Sequence, residues 1–277
     1  MPCRRCDCVR CVFVIGVPTV CGTRTRRVGA VNPWIQGARP RTLPAAVVPV
    51  GVGLAACVGI GGAAWWRASL ALVVSLALQV GVNYANDYSD GIRGTDDVRV
   101  GPARLVGGGI KPAAAVRRAA FASFGVALAA GAVLVVLAGW QLVFVGIAAV
   151  AAGWFYTGGP RPYGYLGLGE VFVFVFFGLV ATAGTTYVVV EQLPSVAIVA
   201  GCGTGALACA LLVVNNLRDI PTDSVSGKRT LAVRLGDRVT RWFYVLLIDA
   251  AFVMVVVCSG QREREGHETE QSPRALP

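Results

Sequence analysis

Long stretches without a charged residue constrain the fold of this chain more than any other feature. They cover residues 42–66, 68–86, 119–160, 171–190 and 192–217, and a further stretch, 242–261, is interrupted only by Asp249. About 20 apolar residues cross a bilayer as an α-helix, so each stretch is long enough for one span and 119–160 for two. The sequence therefore predicts an all-α integral membrane protein, a multi-helix transmembrane bundle in which seven spans can be read.

The longest stretch needs a turn near its middle. Gly139, Trp140 and Gln141 provide one, with an aromatic residue suited to the membrane interface. Of all residues, 55% are hydrophobic and 14% are charged, and the mean hydropathy is +0.65. These values exclude an ordinary soluble domain. A transmembrane β-barrel is excluded as well, because its strands would alternate apolar and polar residues.

The basic residues predict the orientation of the bundle. If the segment before the first span is cytoplasmic, Arg67 alone falls outside among the Lys and Arg residues between positions 32 and 260. Short cytoplasmic loops accumulate Lys and Arg. We therefore expect a protein of the cell membrane whose N-terminus lies in the cytoplasm and whose cytoplasmic loops face anionic lipid. The net charge of +10 follows from this topology and requires no nucleic acid partner.

The two ends of the chain depart from the apolar pattern. Residues 1–31 carry five of the nine cysteines, in a spacing that would suit a metal knuckle, but no second half-site follows at zinc-finger spacing. We interpret this Cys/Arg-rich extension as disordered, or as a start assigned too far upstream of Val28 or Val31. The polar residues 261–277 predict a disordered tail, which a frameshift or a premature end would explain. Residues 32–260 remain as the transmembrane domain.

Two clusters of oxygen-bearing side chains lie at the cytoplasmic ends of predicted helices. The first comprises residues 86–90 (Asn-Asp-Tyr-Ser-Asp) with Asp96, and the second residues 215–219 (Asn-Asn-Leu-Arg-Asp) with Asp223. Residues four apart share a helix face, although Pro221 disfavours helix at its neighbour and predicts a kink before Asp223. Each cluster is a half-site for Mg²⁺, which prefers carboxylate oxygens together with phosphate. Solvated acids at helix ends are the alternative.

Basic residues accompany both clusters. They are Arg93, Arg104 and Lys111 after the first, and Arg218, Lys228, Arg229 and Arg234 around the second. Acids that hold a metal ion, together with bases that bind phosphate oxygens, are the composition expected of a diphosphate site. A third loop on this side, 156–165, leads to Glu170, which is either catalytic or favours a helix N-terminus. The single histidine, His267, lies in the polar tail, which excludes a Ser-His or Cys-His hydrolase.

Several ordered motifs resemble those of the UbiA-type membrane prenyltransferases, and within them the 1,4-dihydroxy-2-naphthoate polyprenyltransferases of menaquinone synthesis. The motifs are residues 37–44 (Gly-Ala-Arg-Pro-Arg-Thr-Leu-Pro), 86–96, 101–104, 156–160, 167–170 and 215–223. The resemblance implies a bundle of nine helices. Because seven spans can be read here, the last two helices of the family are expected to be missing.

The resemblance also implies a reaction and a set of site residues. A polyprenyl group would pass from polyprenyl diphosphate to 1,4-dihydroxy-2-naphthoate with loss of CO₂ and diphosphate, giving demethylmenaquinone, with Mg²⁺ as the cofactor. The implied metal ligands are Asn86, Asp90, Asp96, Asn215, Asp219 and Asp223. The implied diphosphate-binding residues are Arg39, Arg104, Arg161 and Lys228. The catalytic candidates are Asp90, Asp219 and Glu170.

Three other functions stay open at this point. The chain is a UbiA-type prenyltransferase with another acceptor, such as a hydroxybenzoate, a haem precursor or a sugar phosphate. Alternatively, it is a secondary transporter, which would place acids at mid-membrane depth, where Asp249 is expected. The third reading is an inactive or weakly active family member, because the predicted early end would remove part of the lipid-facing pocket.

Overall fold

The computed structural model describes residues 32–95 and 104–271, with side chains up to residue 261. Within these ranges the chain forms helices and no strand. The helices are α1 (Pro33–Ala38), α2 (Pro44–Ala56), α3 (Arg67–Arg93), α4 (Ala113–Ala138), α5 (Leu142–Phe155), α6 (Gly169–Val173), α7 (Ala181–Val190), α8 (Ser195–Val225) and α9 (Leu231–Gln271). A π-helical segment, Phe174–Val180, joins α6 to α7, so Gly169–Val190 is one continuous helix. The all-α prediction is confirmed.

Among the described residues, five helices are long and apolar enough to cross a membrane. They are Arg67–Arg93, Ala113–Ala138, Gly169–Val190, Ser195–Val225 and Leu231–Gln261. The other two apolar helices, α2 and α5, have 13 and 14 residues, which is shorter than a perpendicular span of about 20 residues. The structure thus supports a multi-pass membrane protein, while the predicted number of seven spans stays a prediction.

Glycines explain where two apolar stretches break. The turn predicted at residues 139–141 is confirmed, since α4 ends at Ala138 and α5 begins at Leu142. Residues 42–66, in contrast, do not form one long span, because α2 ends at Ala56. A turn follows in which Gly59 and Gly62 have φ of 91° and 75°, a conformation that side chains with a Cβ disfavour.

Two other helix boundaries differ from the prediction. Pro221 does not end its helix, because α8 continues through this residue to Val225, and Asp219 and Asp223 therefore lie about one turn apart on the same helix; the kink itself stays a prediction. Polar residues 261–271, predicted to be disordered, continue α9 as helical backbone. Their Gln, Arg and Glu content favours a helix even without apolar residues. Residues 1–31 and 272–277 lie outside the described ranges.

Small residues let the helices approach closely in the interior of the bundle. Gly178 packs so tightly on α8 that a Cβ built there would lie 2.5 Å from Gly205 Cα and 2.7 Å from the Gly201 carbonyl oxygen. Nearby, Thr186 donates a hydrogen bond of 2.8 Å to the Gly53 carbonyl oxygen, which joins α7 to α2. Close backbone contact of this kind is the usual basis of helix association in membranes.

Two ion pairs between distant parts of the chain lie at two ends of the bundle. At one end, Arg67 Nη1 donates to Glu191 Oε1 at 2.6 Å and to the Val188 carbonyl oxygen at 3.2 Å, which ties the start of α3 to the end of α7. The opposite end collects the C-terminus of α3, the loop after α5, the start of α6 and the connection from α8 to α9. The described residues of both predicted clusters belong to this second end.

Gly178→Ala should destabilise the bundle, because the added methyl group has no room against α8. We expect the free energy of unfolding in detergent to fall by about 1–3 kcal/mol, the usual cost of overpacking. Gly184→Ala on the same continuous helix is the matched control, since no atom lies within 4 Å of a Cβ built there. Equal unfolding temperatures for both variants would contradict the tight contact.

Candidate functional site

One face of α3 carries a buried polar stripe. Gln79, Asn83, Asn86 and Asp90 are 7%, 3%, 8% and 3% exposed, and their spacings of four, three and four residues place them above one another on the helix. Burial of four polar side chains in an apolar bundle requires hydrogen-bond partners for them. The partners come from three other parts of the chain.

The half of this stripe that is farther from Asp90, formed by Gln79 and Asn83, holds the segment between α1 and α2. Gln79 Nε2 donates to Thr42 Oγ1 at 3.0 Å, and Asn83 Nδ2 donates to the Ala38 carbonyl oxygen at 2.9 Å. Between these two acceptors lies Arg39, whose φ of 53° is left-handed. A non-glycine residue held in this region indicates a conformation that the surroundings impose. The stripe thus fixes the backbone of one predicted diphosphate-binding residue.

Asp90 lies at the centre of the site. Lys228 Nζ donates to its Oδ2 at 2.8 Å, and the Tyr165 hydroxyl donates to its Oδ1 at 2.6 Å. The side chains of Lys228 and Asp90 are only 10% and 5% exposed, so this is a buried ion pair between residues that are 138 positions apart. The two predicted clusters are therefore joined through a base of the second and an acid of the first.

The loop between α5 and α6 closes one side of this ion pair. Thr157 Oγ1 donates to Asn86 Oδ1 at 2.8 Å, and the Arg93 guanidinium donates to the carbonyl oxygens of Thr157 and Gly159. Arg93 and Lys228 both lie over the Tyr165 ring, at 5.4 Å and 4.9 Å from its centroid. Neither Thr157 nor Tyr165 was among the predicted site residues, because hydroxyl groups in a loop have no diagnostic spacing.

Three tyrosines of this loop are held as neutral phenols. Burial raises the pKa of Tyr165, and the neighbouring Asp90 carboxylate raises it further. Burial is also the main cause of the raised pKa of Tyr156, followed by the charge of Glu170, and burial alone raises the pKa of Tyr163. A protonated Tyr165 can donate to Asp90, whereas a phenolate would repel it.

Glu170 and the second cluster meet at the start of α6. Glu170 is 6% exposed, and Asn216 Nδ2 donates to its Oε1 at 3.1 Å. Glu170 occupies the first turn of α6, as the helix N-terminus alternative predicts, but it also contacts α8. Asn216 was not among the predicted ligands. It differs from Asn215, whose side-chain amide donates to the Leu211 carbonyl oxygen of its own helix.

The remaining predicted residues have diverse surroundings. Asp223 is 9% exposed, and its carbonyl oxygen accepts from the Lys228 backbone N–H at 2.9 Å. Asp219 forms a two-pronged ion pair with Arg218, at 2.7 and 2.9 Å. Arg161 and Asp249 are exposed, and Asp249 lies along α9 outside the described cluster. Asp96 falls between the described ranges.

The described residues contain no group of three or more acidic, His or Cys side chains placed to hold a metal ion. Mg²⁺ does not require such a group, because it binds through one or two carboxylates together with phosphate oxygens and water. Asn86 and Asp90 supply hard oxygen donors one turn apart, and the Lys228 ammonium on Asp90 shows that a cation is stabilised at this position. The donor set therefore fits Mg²⁺.

Aromatic rings extend from the site into the bundle. Tyr156 and Tyr163 meet edge to face at 5.5 Å, Tyr163 stacks on Phe172 at 3.9 Å, and Phe172 stacks on Phe176 at 6.3 Å between ring centroids. Ring faces attract positive charge. The row thus provides an apolar wall, beside the acids and bases, that tolerates a cation.

Comparison with known proteins gives a consistent result. The model of the UbiA prenyltransferase family matches residues 46–262. A Mycobacterium tuberculosis protein named 1,4-dihydroxy-2-naphthoate octaprenyltransferase is 53% identical over 224 residues, which cover 81% of this chain and 77% of that protein. A protein of the same name from Escherichia coli is 35% identical over 84% of this chain and 78% of the relative.

The fold also matches solved structures. A UbiA homologue from Archaeoglobus fulgidus, solved with bound GPP and Mg²⁺, superposes with a TM-score of 0.64. The match covers 82% of this chain and 77% of the homologue at 16% sequence identity. This likeness concerns the arrangement of the helices.

Replacement of Lys228 by Met should leave the Asp90 carboxylate buried without its ammonium partner. Breaking a buried ion pair from one side costs about 3–5 kcal/mol, so we expect a loss of that order in the free energy of unfolding. The double variant Asp90→Asn, Lys228→Met should recover part of it. The exposed pair Asp237–Arg241 serves as the control, because solvent screens exposed pairs and Arg241→Met should change stability far less than Lys228→Met. An equal loss in both single variants would contradict the buried pair.

The raised pKa values of Tyr156, Tyr163 and Tyr165 predict that these phenols ionise in the late part of an alkaline titration. Because the pKa of Tyr163 lies above its ordinary value of 10.0, its phenol stays neutral in the folded state as pH passes 10. Its contribution to stability is complete below that pH and is lost as pH rises toward the folded-state pKa. In a near-ultraviolet phenolate titration, Tyr163→Phe should remove amplitude only from the late part. A loss from the early part would show that Tyr163 is not shielded.

Proposed function

Since this chain belongs to the UbiA prenyltransferase family, we propose that it transfers a polyprenyl group from a polyprenyl diphosphate to 1,4-dihydroxy-2-naphthoate. The bond between the allylic carbon and the diphosphate oxygen breaks, and the ring carbon bearing the carboxylate forms the new bond to that allylic carbon. The carboxylate leaves as CO₂, with its electron pair returned to the ring. The direct products are demethylmenaquinol, CO₂ and diphosphate, and demethylmenaquinone of menaquinone synthesis is the two-electron oxidised form of this quinol.

One observation carries the proposal from the side of the structure. Asp90, with Asn86 one turn before it, meets Lys228 and Tyr165 in a buried cluster at one end of apolar helices. An acid and a base of this kind, shielded from water, interact more strongly with a charged substrate than solvated groups would. The acceptor is supported by the names of the relatives, among them one that is 53% identical over 224 residues.

We assign the diphosphate to the bases of this end. Lys228 would exchange its bond to Asp90 for a bond to a diphosphate oxygen, while Arg39, Arg104 and Arg161 would supply further positive charge. Their support differs. The backbone of Arg39 is fixed by the α3 stripe, whereas Arg161 is exposed on the loop after α5. Arginine suits phosphate groups because it donates two parallel hydrogen bonds.

The proposed Mg²⁺ ligands are the oxygen donors of both clusters. They are Asn86, Asp90, Asp96, Asn215, Asp219 and Asp223. The donor chemistry of Asn86 and Asp90 supports this assignment most directly, since both are buried and share one face. When bound, Mg²⁺ would neutralise negative charge on the diphosphate leaving group.

The chain itself would control what happens to the allylic cation. The aromatic row from Tyr156 to Phe176 provides ring faces that stabilise positive charge, and its apolar surroundings keep water from capturing the cation. Glu170, held by Asn216, is the proposed catalytic carboxylate that takes the proton of an acceptor hydroxyl, while Asp90 and Asp219 act through the diphosphate.

We further propose that this end faces the cytoplasm and that residues 32–260 are the prenyltransferase unit. Support comes from the placement of charges. Arg67 pairs with Glu191 at one end, whereas Arg93, Arg104, Lys228 and Arg229 accompany the site at the other. A positive cytoplasmic side is the usual arrangement, and it presents the site to a water-soluble naphthoate while the prenyl chain remains in lipid.

Membranes that contain this chain should prenylate 1,4-dihydroxy-2-naphthoate when Mg²⁺ is present and stop when it is chelated. The double variant Asp90→Ala, Asp219→Ala should lose at least about a hundredfold in rate, as expected when charge stabilisation at a reaction centre is removed. Asp237→Ala is the control, because Asp237 forms an exposed pair with Arg241. Product formed only with a hydroxybenzoate acceptor would keep the family chemistry and overturn the naphthoate acceptor.

A further inference from the structure

Asp87 is the most deeply buried acid among the residues that the structure describes, at 1% exposure. Its two carboxylate oxygens accept from adjacent backbone amides. Leu105 N donates to Oδ2 at 3.1 Å and Val106 N donates to Oδ1 at 3.1 Å. Hydrogen bonds to an ionised acceptor are about twice as strong as neutral ones. Asp87 therefore holds the segment Arg104–Lys111 on the C-terminal part of α3.

Two glycines shape the surface on which this segment rests. Leu105 is 1% exposed and lies over Gly37, where a built Cβ would be 2.5 Å from Leu105 Cδ1. Val106 lies over Gly91, where a built Cβ would be 2.5 Å from Val106 Cβ. The side chains of Leu105 and Val106, whose backbone amides donate to Asp87, thus pack against the backbone at Gly37 and Gly91. Hydrogen bonds and packing together therefore hold the segment in place.

The segment is also closed on itself. Gly108 N donates to the Arg104 carbonyl oxygen at 3.0 Å, and Lys111 N donates to the Leu105 carbonyl oxygen at 2.8 Å. The Lys111 ammonium lies 5.5 Å from the centroid of the Trp34 ring. Residues 104 to 111 therefore form a compact turn, and the Asp87 hydrogen bonds connect this turn to α3.

The position of Asp87 on the helix gives these hydrogen bonds their functional meaning. It follows Asn86 directly, and successive residues point about 100° apart around an α-helix. Asn86 therefore contacts Thr157 while Asp87 contacts the turn that begins at Arg104. Consecutive Cα atoms are about 3.8 Å apart, so the backbone of Arg104 is held beside the same helical turn that carries Asn86.

We propose that Asp87 is a positioning residue for diphosphate recognition: it fixes the Arg104–Lys111 turn so that Arg104 engages the diphosphate. This inference rests on the proposed function, in which Arg104 binds that group. Both carboxylate oxygens of Asp87 face the backbone of the turn, whereas Asn86 and Asp90 share the face that meets Thr157 and Lys228, so Asp87 is assigned to the turn and not to the metal. A turn held in place before the substrate arrives lowers the cost of ordering it on binding.

Kinetics of Asp87→Asn, Arg104→Ala and the double variant test this role. Asp87→Asn should raise the KM for polyprenyl diphosphate about tenfold, as expected for the loss of a charged hydrogen bond. The double variant should match Arg104→Ala within about twofold, because residues that act through one another are not additive. At saturating polyprenyl diphosphate, the half-saturating Mg²⁺ concentration should stay at the wild-type value. A multiplicative double variant, or a tenfold rise in that Mg²⁺ concentration, would overturn the proposal.

Hydrogen exchange tests the same role without turnover. Asp87→Asn should speed amide exchange at Leu105 and Val106 about tenfold or more, and Asp237→Asn should leave it at the wild-type rate. If Asp87→Asn does not fold, Val106→Ala loosens the turn from its other side and keeps every acid, and it should raise the KM for polyprenyl diphosphate and speed the same exchange. Unchanged exchange and KM would reject the role of Asp87. Absent prenylation by wild-type protein with altered exchange in the variant would instead reject the proposed function.

Discussion

The buried ion pair between Asp90 and Lys228 is the interaction on which the arrangement of the site depends. It connects α3 to the segment between α8 and α9, and Tyr165 adds the loop after α5 to the same carboxylate. A buried charge without a partner is far more costly than the net gain from a pair. The helix α3 and these two connecting segments are therefore held together at one end of the bundle, although they are far apart in the sequence.

The same requirement explains why so many polar side chains lie inside an apolar bundle. Each buried donor or acceptor needs a partner, and at this end the partners are shared between elements. Thr157 donates to Asn86, and Asn216 donates to Glu170. Ala38 and Thr42 accept from Asn83 and Gln79 of the α3 stripe. A network of this kind rigidifies a site only when its members are satisfied. It also supplies preorganised groups for a charged substrate in surroundings of low dielectric constant.

Much of this architecture can be predicted from the sequence, because it follows from local patterns. Charge-free stretches predict the helices, and the four-residue spacing from Asn86 to Asp90 predicts a shared face. The residue at which a helix ends is harder to predict. Polar residues after Gln261 continue α9, and Pro221 does not interrupt α8, since neighbouring turns outweigh the loss of one backbone hydrogen bond. Partners distant in sequence, such as Tyr165 for Asp90 or Leu105 for Asp87, have no local signal. They follow from tertiary packing alone.

One turn of α3 shows why its polar residues stand so close together. Asn86 faces Thr157, Asp87 faces the backbone of Leu105 and Val106, and Tyr88 stacks on Trp154 at 6.2 Å with Arg117 over its ring at 5.8 Å. Three consecutive residues on an α-helix point in three directions, so each contacts a different neighbour. Such a helix can be surrounded on all sides and still present one face, that of Asn86 and Asp90, to a substrate. The two acids of this motif are therefore not interchangeable: Asp87 points at the protein backbone, and Asp90 points at the face for which we propose ligand binding.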